Sequence, residues 1–172
     1  MLILLAVLLL ASCTGLVHKE REQVHIYIYS EIVADWEEPL TKVLAAQIEA
    51  VPVQVKVFPF AEALVTTHMV AAEADVYLVP YEFWHPLLDE LGVAPLNELF
   101  PNSDIPQHLG DYVRFNAETG AAELLALPID GEHHWFKTAK IETWESWLAI
   151  LPFTYQNQEY VLEVMRFLAN QP

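Results

Sequence analysis

Between Val24 and Pro80 the chain switches repeatedly between the hydrophobic periods of strands and helices, which limits the folds open to it. Val24 to Tyr29 and Val53 to Phe58 alternate with a period of two and are rich in β-branched and aromatic residues, as strands are. Ala74 to Pro80 is a third run, almost wholly apolar, as is typical of a strand buried on both faces. The sequence therefore predicts three strands in this region.

Two helical segments separate these strands. Asp35 to Ala50 has apolar residues at helical spacing, and Glu38 follows Asp35 by three residues, which is the arrangement of a capping box. Phe60 to Glu73 has a weaker helical pattern. Because parallel strands need a return of helix length, this order predicts right-handed crossovers. The expected fold class is α/β, a three-layer sandwich with a mostly parallel sheet.

The rest of the chain has less regular patterns. Asn102 to Gly120 is rich in turn residues and is expected to be a long excursion. Asn157 is placed to cap a final helix that continues to Asn170. The other predicted elements are a helix from Phe83 to Leu91, a short helical turn from Pro95 to Pro101, a strand from Leu124 to Ile129 and a helix from Thr143 to Leu148.

Composition limits the classes of function. The 172 residues contain 24 acidic and 8 basic side chains, for a net charge of −16. This charge repels a phosphate backbone and no basic stripe opposes it, so no nucleic-acid partner is expected. The same charge keeps the body of the protein off anionic lipid. Because Cys13 is the single cysteine, no internal disulfide can form and the fold must rest on burial of apolar residues.

The first thirteen residues have the features of an export signal. Leu2 to Leu10 is an uncharged apolar run, too short for a spanning helix of about 20 residues but long enough for a signal core. Leu10-Ala11-Ser12-Cys13 resembles the bacterial lipoprotein box, in which cleavage leaves a lipid-modified cysteine. The predicted organisation is a signal at residues 1–13 with lipidation at Cys13, a polar tether at 14–23 and one domain at 24–172. The protein is expected to be membrane-anchored by lipid and to face outside the cytoplasm, at the cell surface or in the periplasm.

Several short motifs carry a family resemblance through their order. Ala74-Asp75-Val76 opens the third strand, Pro95 to Leu99 forms a proline-leucine-acidic turn, and Ala126 to Pro128 leads into a late strand. Thr143 to Leu148 and Tyr155 to Leu168 follow as two helix motifs. In this order they resemble the extracellular solute-binding proteins of bacterial ABC importers. The resemblance implies one lobe of a periplasmic-binding-protein-like fold, which captures a small solute for an ABC transporter permease.

The chain differs from that family at one place. Between Leu148 and Phe153 the family has most of its second lobe, and only a few residues stand there in this sequence. Solute-binding proteins close two lobes on their ligand around a hinge. The alternative function is therefore a single-lobe lipoprotein that acts as a protein-interaction or accessory subunit.

The predicted topology also nominates a ligand site. In open α/β sheets, ligands bind beyond the carboxyl ends of the strands. Carboxylates at these positions accept hydrogen bonds from hydroxyls or pair with ammonium groups, and aromatic rings stack on sugars or cover cations. The expected solute is a sugar or a cationic metabolite. The residues expected to bind it follow the predicted strands and are Ser30, Glu31, Phe60, Tyr81, Glu82, Trp84 and Asp130.

Metal binding and catalysis are the other chemistries to weigh. His133 and His134 lie near Asp130 and Glu132, but neighbours on a strand point to opposite faces and no i, i+4 histidine pair is present, so no metal is expected. The same bilobal fold also carries a thiamine-degrading activity that depends on a cysteine, and the corresponding region here, which begins at Gly131, has no thiol. The sequence also lacks a nucleophile elbow and a phosphate-binding glycine loop, so we expect no catalytic residue, no enzyme activity and no cofactor.

Overall fold

The computed structural model describes residues 23–32, 35–48, 52–83, 92–100, 105–155 and 158–170. Several predictions fall outside these residues. They concern the signal and Cys13, the tether up to residue 22, the helix at 84–91 together with Trp84, and the cap at Asn157.

The described residues form strands, helices and short 3₁₀ turns. The strands are β1 (Val24–Ser30), β2 (Val53–Pro59), β3 (Val76–Pro80), β4 (Val113–Phe115), β5 (Ala122–Leu124), β6 (Leu127–Asp130) and β7 (Ser146–Ile150). The helices are α1 (Glu37–Gln47), α2 (Glu62–Val70), α3 (His134–Thr138) and α4 (Gln158–Ala169). The 3₁₀ turns are Tyr81–Phe83, Asn97–Leu99 and Gln107–Tyr112.

Five of the strands form one mixed sheet in the order β2-β1-β3-β7-β6. β1 is parallel to both β2 and β3, as the two crossovers predict. β7 is antiparallel to both of its neighbours, so β6 runs in the same direction as β1 to β3. The α/β class is confirmed, and β7 is the one strand of this sheet that runs in the reverse direction.

Two hydrophobic cores lie on the two faces of this sheet. Inward residues of one face, such as Ile26 and Leu78, pack with α1, α3 and α4. Residues of the other face, such as Tyr29 and Tyr77, pack with α2 and with the loops that follow β3 and β5. Helices on both sides of the sheet give the three layers that the sequence predicts.

The helix predicted from Thr143 to Leu148 is wrong, because strand β7 begins at Ser146. The four residues of β7 after Ser146 are all at most 1% exposed. A strand covered on both faces is an unbroken apolar run, and periodicity does not separate such a run from a buried helix. The motif that resembles a family helix start therefore has a different structure in this chain.

The ends of the predicted helices also shift. The capping box at Asp35 and Glu38 is not formed, since α1 has Trp36 as its N-cap with no side-chain cap. The Glu38 carboxylate instead pairs with Lys42 one turn later, at 2.5 Å. The helix predicted to run to Glu73 ends at Val70, followed by Ala72 with a φ of +51°.

The predicted excursion contains structure that the sequence analysis missed. It includes a 3₁₀ turn and strand β4, which pairs with β5 just beyond the excursion in a separate antiparallel hairpin. The strand predicted from Leu124 to Ile129 is two strands, because β5 ends at Leu124 and β6 begins at Leu127. Among the described residues, no helix is both long and apolar enough to cross a membrane.

Candidate functional site

The carboxyl edge of the sheet is the edge at which β1, β2, β3 and β6 end and β7 begins. A cavity of about 180 Å³ opens there between the loop after β1, the turn after β3 and the start of β7. We call it the edge cavity. It is lined by Glu31, Pro80, Glu82, Trp144, Glu145, Ser146 and Trp147.

Glu145 is the buried carboxylate of the edge cavity, with an exposed fraction of 8%. Its Oε2 accepts a hydrogen bond from Ser30 Oγ at 2.5 Å, and its Oε1 accepts one from the backbone N–H of Glu31 at 2.6 Å. Ser30 Oγ also accepts from the N–H of Ile32 at 2.9 Å. A buried carboxylate needs such donors, because water no longer solvates it. Glu145 therefore fixes the loop after β1 against the start of β7.

Trp147 forms a rigid wall behind this carboxylate. Its indole N–H donates to the carbonyl of Tyr29 at 2.7 Å, and its ring stacks on Phe136 with a centroid distance of 5.0 Å. The ring of Trp36 packs edge-on against the ring of Trp147, with a centroid distance of 6.3 Å. With every polar atom of the indole paired and the ring 1% exposed, Trp147 is a structural residue of the cavity.

The groups that the edge cavity offers to a ligand are acidic and aromatic. Glu31 and Glu82 are both exposed, and no Lys or Arg in the described part of the chain forms an ion pair with either of them. Trp144 is 75% exposed beside them. Carboxylates next to an indole are suited to ammonium groups and to hydroxyls.

The structure brings three of the predicted site residues together. Glu31 and Glu82 line the edge cavity, and Ser30 lies behind it through its hydrogen bond to Glu145. Tyr81 is exposed next to the cavity, but it is not a lining residue, and its ring packs edge-on against Tyr112 at 6.4 Å. Ligand binding by these residues stays a prediction.

Phe60 and Asp130 also lie at the carboxyl edge, outside the lining of the cavity. The N–H of Phe60 donates to the carbonyl of Ser30 at 3.0 Å, while its ring packs against Phe83. Asp130 is opposite Ser146 in the β6–β7 register, and its Oδ1 accepts from the N–H of Glu132 at 3.0 Å. Phe60 therefore contributes to packing, and the Asp130 side chain stabilises the turn after β6.

Sequence reasoning missed the residues that β7 brings to the site. Trp144, Glu145 and Ser146 were assigned to a helix, so they were not placed at the ends of the other strands. The available signal was the apolar run from Trp147 to Leu151, which has the length of a buried strand. Placing this run in the sheet would have put Trp144 and Glu145 at an edge.

A second cavity of about 580 Å³ lies along the connection from β6 to β7. It has two lysines and two glutamates, and one pair of these, Lys137 and Glu132, forms an ion pair at 2.8 Å. The backbone closes tightly beside it, because a Cβ at Gly131 would lie 1.9 Å from the carbonyl oxygen of Thr143. Its lining is Gly131, Glu132, Lys137, Lys140, Ile141, Glu142 and Thr143.

The two adjacent histidines are not on a strand, contrary to the expectation from the sequence. His133 is the N-cap of α3, where its Nδ1 accepts from the N–H of Trp135 at 3.2 Å and its Nε2 lies 3.1 Å from the carbonyl of Leu168. Burial, helped by the neighbouring His134, lowers the pKa of His133 to about 4. The two rings are 4.3 Å apart at their centroids, so they do not point to opposite faces. In the part of the chain that the structure describes, no three His, Cys, Asp or Glu side chains group as metal ligands would.

Comparison with known proteins finds a relative that covers most of this chain. The chain is similar to a protein of Bacillus subtilis (strain 168) named "Putative lipoprotein YteS". The two are 29% identical over 128 residues, which cover 74% of this chain and 69% of the relative. No protein-family model and no solved structure matches the chain.

Proposed function

We propose that this protein is a lipid-anchored binding protein outside the cytoplasm, which captures a small cationic or polyhydroxylated solute for an ABC-type importer. The observation that carries the proposal is the edge cavity. It combines two exposed carboxylates, Glu31 and Glu82, with the exposed indole of Trp144. Binding without catalysis is the activity proposed.

Two observations support the lipid anchor. The string Leu10-Ala11-Ser12-Cys13 has the small residues and the cysteine that lipid modification requires. The similar protein from Bacillus subtilis is itself named as a lipoprotein. Two or more acyl chains, at about 0.8 kcal/mol per buried CH₂, hold a protein on a membrane without any basic surface. A body with a net charge of −16 offers no such surface.

The size and rigidity of the edge cavity support capture of a small solute. Its volume of about 180 Å³ is below the roughly 300 to 1,000 Å³ of drug-sized pockets, so it fits a small molecule or one unit of a larger one. Glu145 and Trp147 are held by hydrogen bonds on both sides of the cavity. A preformed wall lowers the ordering cost of binding.

Isothermal titration of the full chain, extracted from membranes in mild detergent, tests this function. The titrants are monosaccharides, oligosaccharides, amino acids, polyamines and thiamine. The variants are Trp144→Ala and Glu82→Gln. Their matched controls are Phe115→Ala and Glu118→Gln, which remove an equally exposed aromatic ring and an exposed carboxylate from the β4–β5 hairpin.

We expect one titrant class to bind saturably, and we expect Trp144→Ala and Glu82→Gln to weaken that binding at least tenfold while the controls leave it unchanged. Binding that all four variants retain would exclude the edge cavity. If no titrant binds, the exposed Trp144 is better explained as part of an interface with another protein. Co-purification of a stoichiometric partner that Trp144→Ala releases would then establish the accessory-subunit function.

A further inference from the structure

We propose that the amino edge of the sheet is a membrane-contact surface, which holds the domain with the edge cavity pointing away from the bilayer. The amino edge is the edge at which β1, β2 and β3 begin. The occupant of this surface is the interfacial region of the phospholipid bilayer. The inference rests on the lipid at Cys13 that the proposed function includes, because the net charge of −16 keeps a body without an anchor off anionic lipid and the anchor is what holds one edge against it.

The position of β1 places the amino edge next to the anchor. β1 begins at Val24, and the ten residues at 14–23 span at most about 36 Å when fully extended. The seven residues of β1 carry the chain about 23 Å further to the carboxyl edge. The amino edge is therefore always within reach of the lipid. The length of the tether leaves the orientation to be decided by the surface of the domain.

Two large apolar side chains are exposed at the amino edge. Phe153 and Val70 are each 74% exposed. Phe153 follows β7, whose last residue, Ile150, is paired with Tyr77 at the start of β3. Val70 is the last residue of α2, which returns the chain from the carboxyl edge, and five residues later the N–H of Asp75 donates to the carbonyl of His25 in β1. Apolar side chains at this end can enter the interfacial layer, where they leave water.

The charges of the domain favour the same orientation. At the amino edge, Asp75 is 1% exposed and its carboxylate accepts from the N–H of His25, while the side chain of Glu73 is 46% exposed and its carboxylate lies 3.8 Å from Nε2 of His68. At the carboxyl edge, Glu31 and Glu82 are exposed, and α1 and α2 begin there with acidic residues in their first turns. Anionic headgroups repel the acidic residues of the carboxyl edge, so this edge is expected to face away from the bilayer.

Trp144 is the apolar residue at the carboxyl edge that competes most strongly with Phe153, because it is 75% exposed there. Its surroundings oppose insertion, since the carboxylates of the edge cavity would lose their water as the indole entered lipid. Phe153 is not among the residues that line the edge cavity with its carboxylates; in the described part of the chain it lies against Gly92, whose carbonyl accepts from the N–H of Phe153 at 3.2 Å. The bilayer is therefore expected to select Phe153 over Trp144, although their exposed fractions differ by only one percentage point.

Site-specific fluorescence tests this orientation. Cys13 is the single cysteine and is blocked by its lipid, so Phe153→Cys and Val70→Cys each create one thiol for an environment-sensitive fluorophore. The matched control is Trp144→Cys. Each full, lipidated chain is inserted into vesicles of phosphatidylcholine and phosphatidylglycerol. Mass spectrometry of the N-terminal peptide reports the lipid, and thermal melts confirm that each labelled variant is folded.

We expect the labels at positions 153 and 70 to shift their emission to shorter wavelength on vesicles and to be quenched by spin-labelled phospholipid. We expect the label at position 144 to stay accessible to aqueous iodide. Equal iodide quenching at 153 and 144 on a lipidated chain would overturn the membrane-contact surface and leave the anchor and solute binding intact. A chain without lipid at Cys13 would overturn both the anchor and this surface, and the solute titration would still decide binding in the edge cavity.

Discussion

Gly131 is a residue at which two backbone segments touch. A Cβ there would lie 1.9 Å from the carbonyl oxygen of Thr143. No side-chain rotation relieves this contact, because the backbone of residue 131 fixes the position of the Cβ and its partner is a backbone oxygen. Thr143 Oγ1 in turn accepts from the N–H of Glu145 at 3.2 Å. The absence of a side chain at position 131 thus helps to place the buried carboxylate of the edge cavity.

We expect Gly131→Ala to lower the free energy of unfolding by roughly 2 kcal/mol or more, because the two segments must separate. Urea denaturation followed by circular dichroism measures this change. Gly110→Ala is the control, since no heavy atom lies within 4 Å of a Cβ at that position. Similar losses in both variants would contradict this account, because Gly→Ala at the open position 110 should by itself stabilise the fold slightly through the lower entropy of the unfolded chain.

At the residue scale, the sequence predicted the position of some site residues and not their interactions. Glu31 and Glu82 were found because they follow strands that the local hydrophobic pattern of the sequence predicts. Glu145 was not found, since its partners, Ser30 and the N–H of Glu31, are more than a hundred positions away in the chain. Long-range pairing of this kind leaves no local pattern in a single sequence.

Helix α1 protects the edge strand β2. The outward N–H groups of Val55 and Val57 donate to Thr41 Oγ1 at 3.1 Å and to Glu37 Oε1 at 3.0 Å. At the other end of the sheet, Pro128 in β6 has no N–H to offer. Unpaired donors on an edge strand are a template for another chain, so the two hydrogen bonds from β2 and the proline in β6 oppose strand addition at these edges.

The double substitution Thr41→Val and Glu37→Leu is expected to open the edge of β2. Each donor that loses its acceptor destabilises the fold by about 1 kcal/mol or more, and the freed N–H groups can pair with a second copy. Size-exclusion chromatography with light scattering should show association that increases with protein concentration. Thr66→Val with Glu38→Leu is the control, because neither residue contacts β2 in the hydrogen bonds of the described residues. A double variant as monomeric as this control would contradict the protective role.

His133 links α3 to α4 and makes that link depend on pH. It caps α3 through Nδ1 and contacts the last turn of α4 through Nε2, which requires a neutral ring. Its pKa in the folded protein, about 4, is below the ordinary value of 6.5. The unfolded chain therefore takes up the proton first, and the stability is fully present above pH 6.5 and is lost as the pH falls toward 4.

We expect the wild-type chain to lose on the order of 3 kcal/mol through His133 as the pH falls across this window. His133→Gln removes the titration, so the variant should be less stable at neutral pH and should lose less on acidification. Urea denaturation at a series of pH values measures both effects. Parallel pH profiles for the two proteins would show that His133 is not the titrating group that matters.

At the element scale, local pattern was sufficient for the first half of the fold. The bounds of β1 and β2 differ from prediction by one residue, because their alternation and their helical return are both visible in the sequence. The β4–β5 hairpin was missed because the residues of its turn are of the types that are common in any loop, and its strands are only three residues long. Asn116 Oδ1 accepts from the N–H groups of Glu118 and Thr119, which folds those turn residues into a defined connection.

For the whole molecule, the net charge of −16 is a source of repulsion that salt can screen. Raising the ionic strength from about 0.02 M to about 0.5 M shortens the Debye length to a few ångströms. We expect the melting temperature at pH 7 to rise across this range, as measured by differential scanning calorimetry. A melting temperature that falls would mean that ion pairs such as Arg114 to Glu123 outweigh the repulsion.

The reversed strand β7 also sets the order in which the protein can become complete. β3 is translated early, but β7, its neighbour on the side away from β1, is translated late. The sheet becomes continuous only when residues such as Ile150 have been made and can pair with Tyr77. Until then, β3 has an open edge in what will be the middle of the sheet. Contacts so distant in sequence form slowly. For a chain that is exported as proposed above, a partner strand translated near the end delays completion of the sheet and so keeps the chain unfolded while it crosses the membrane.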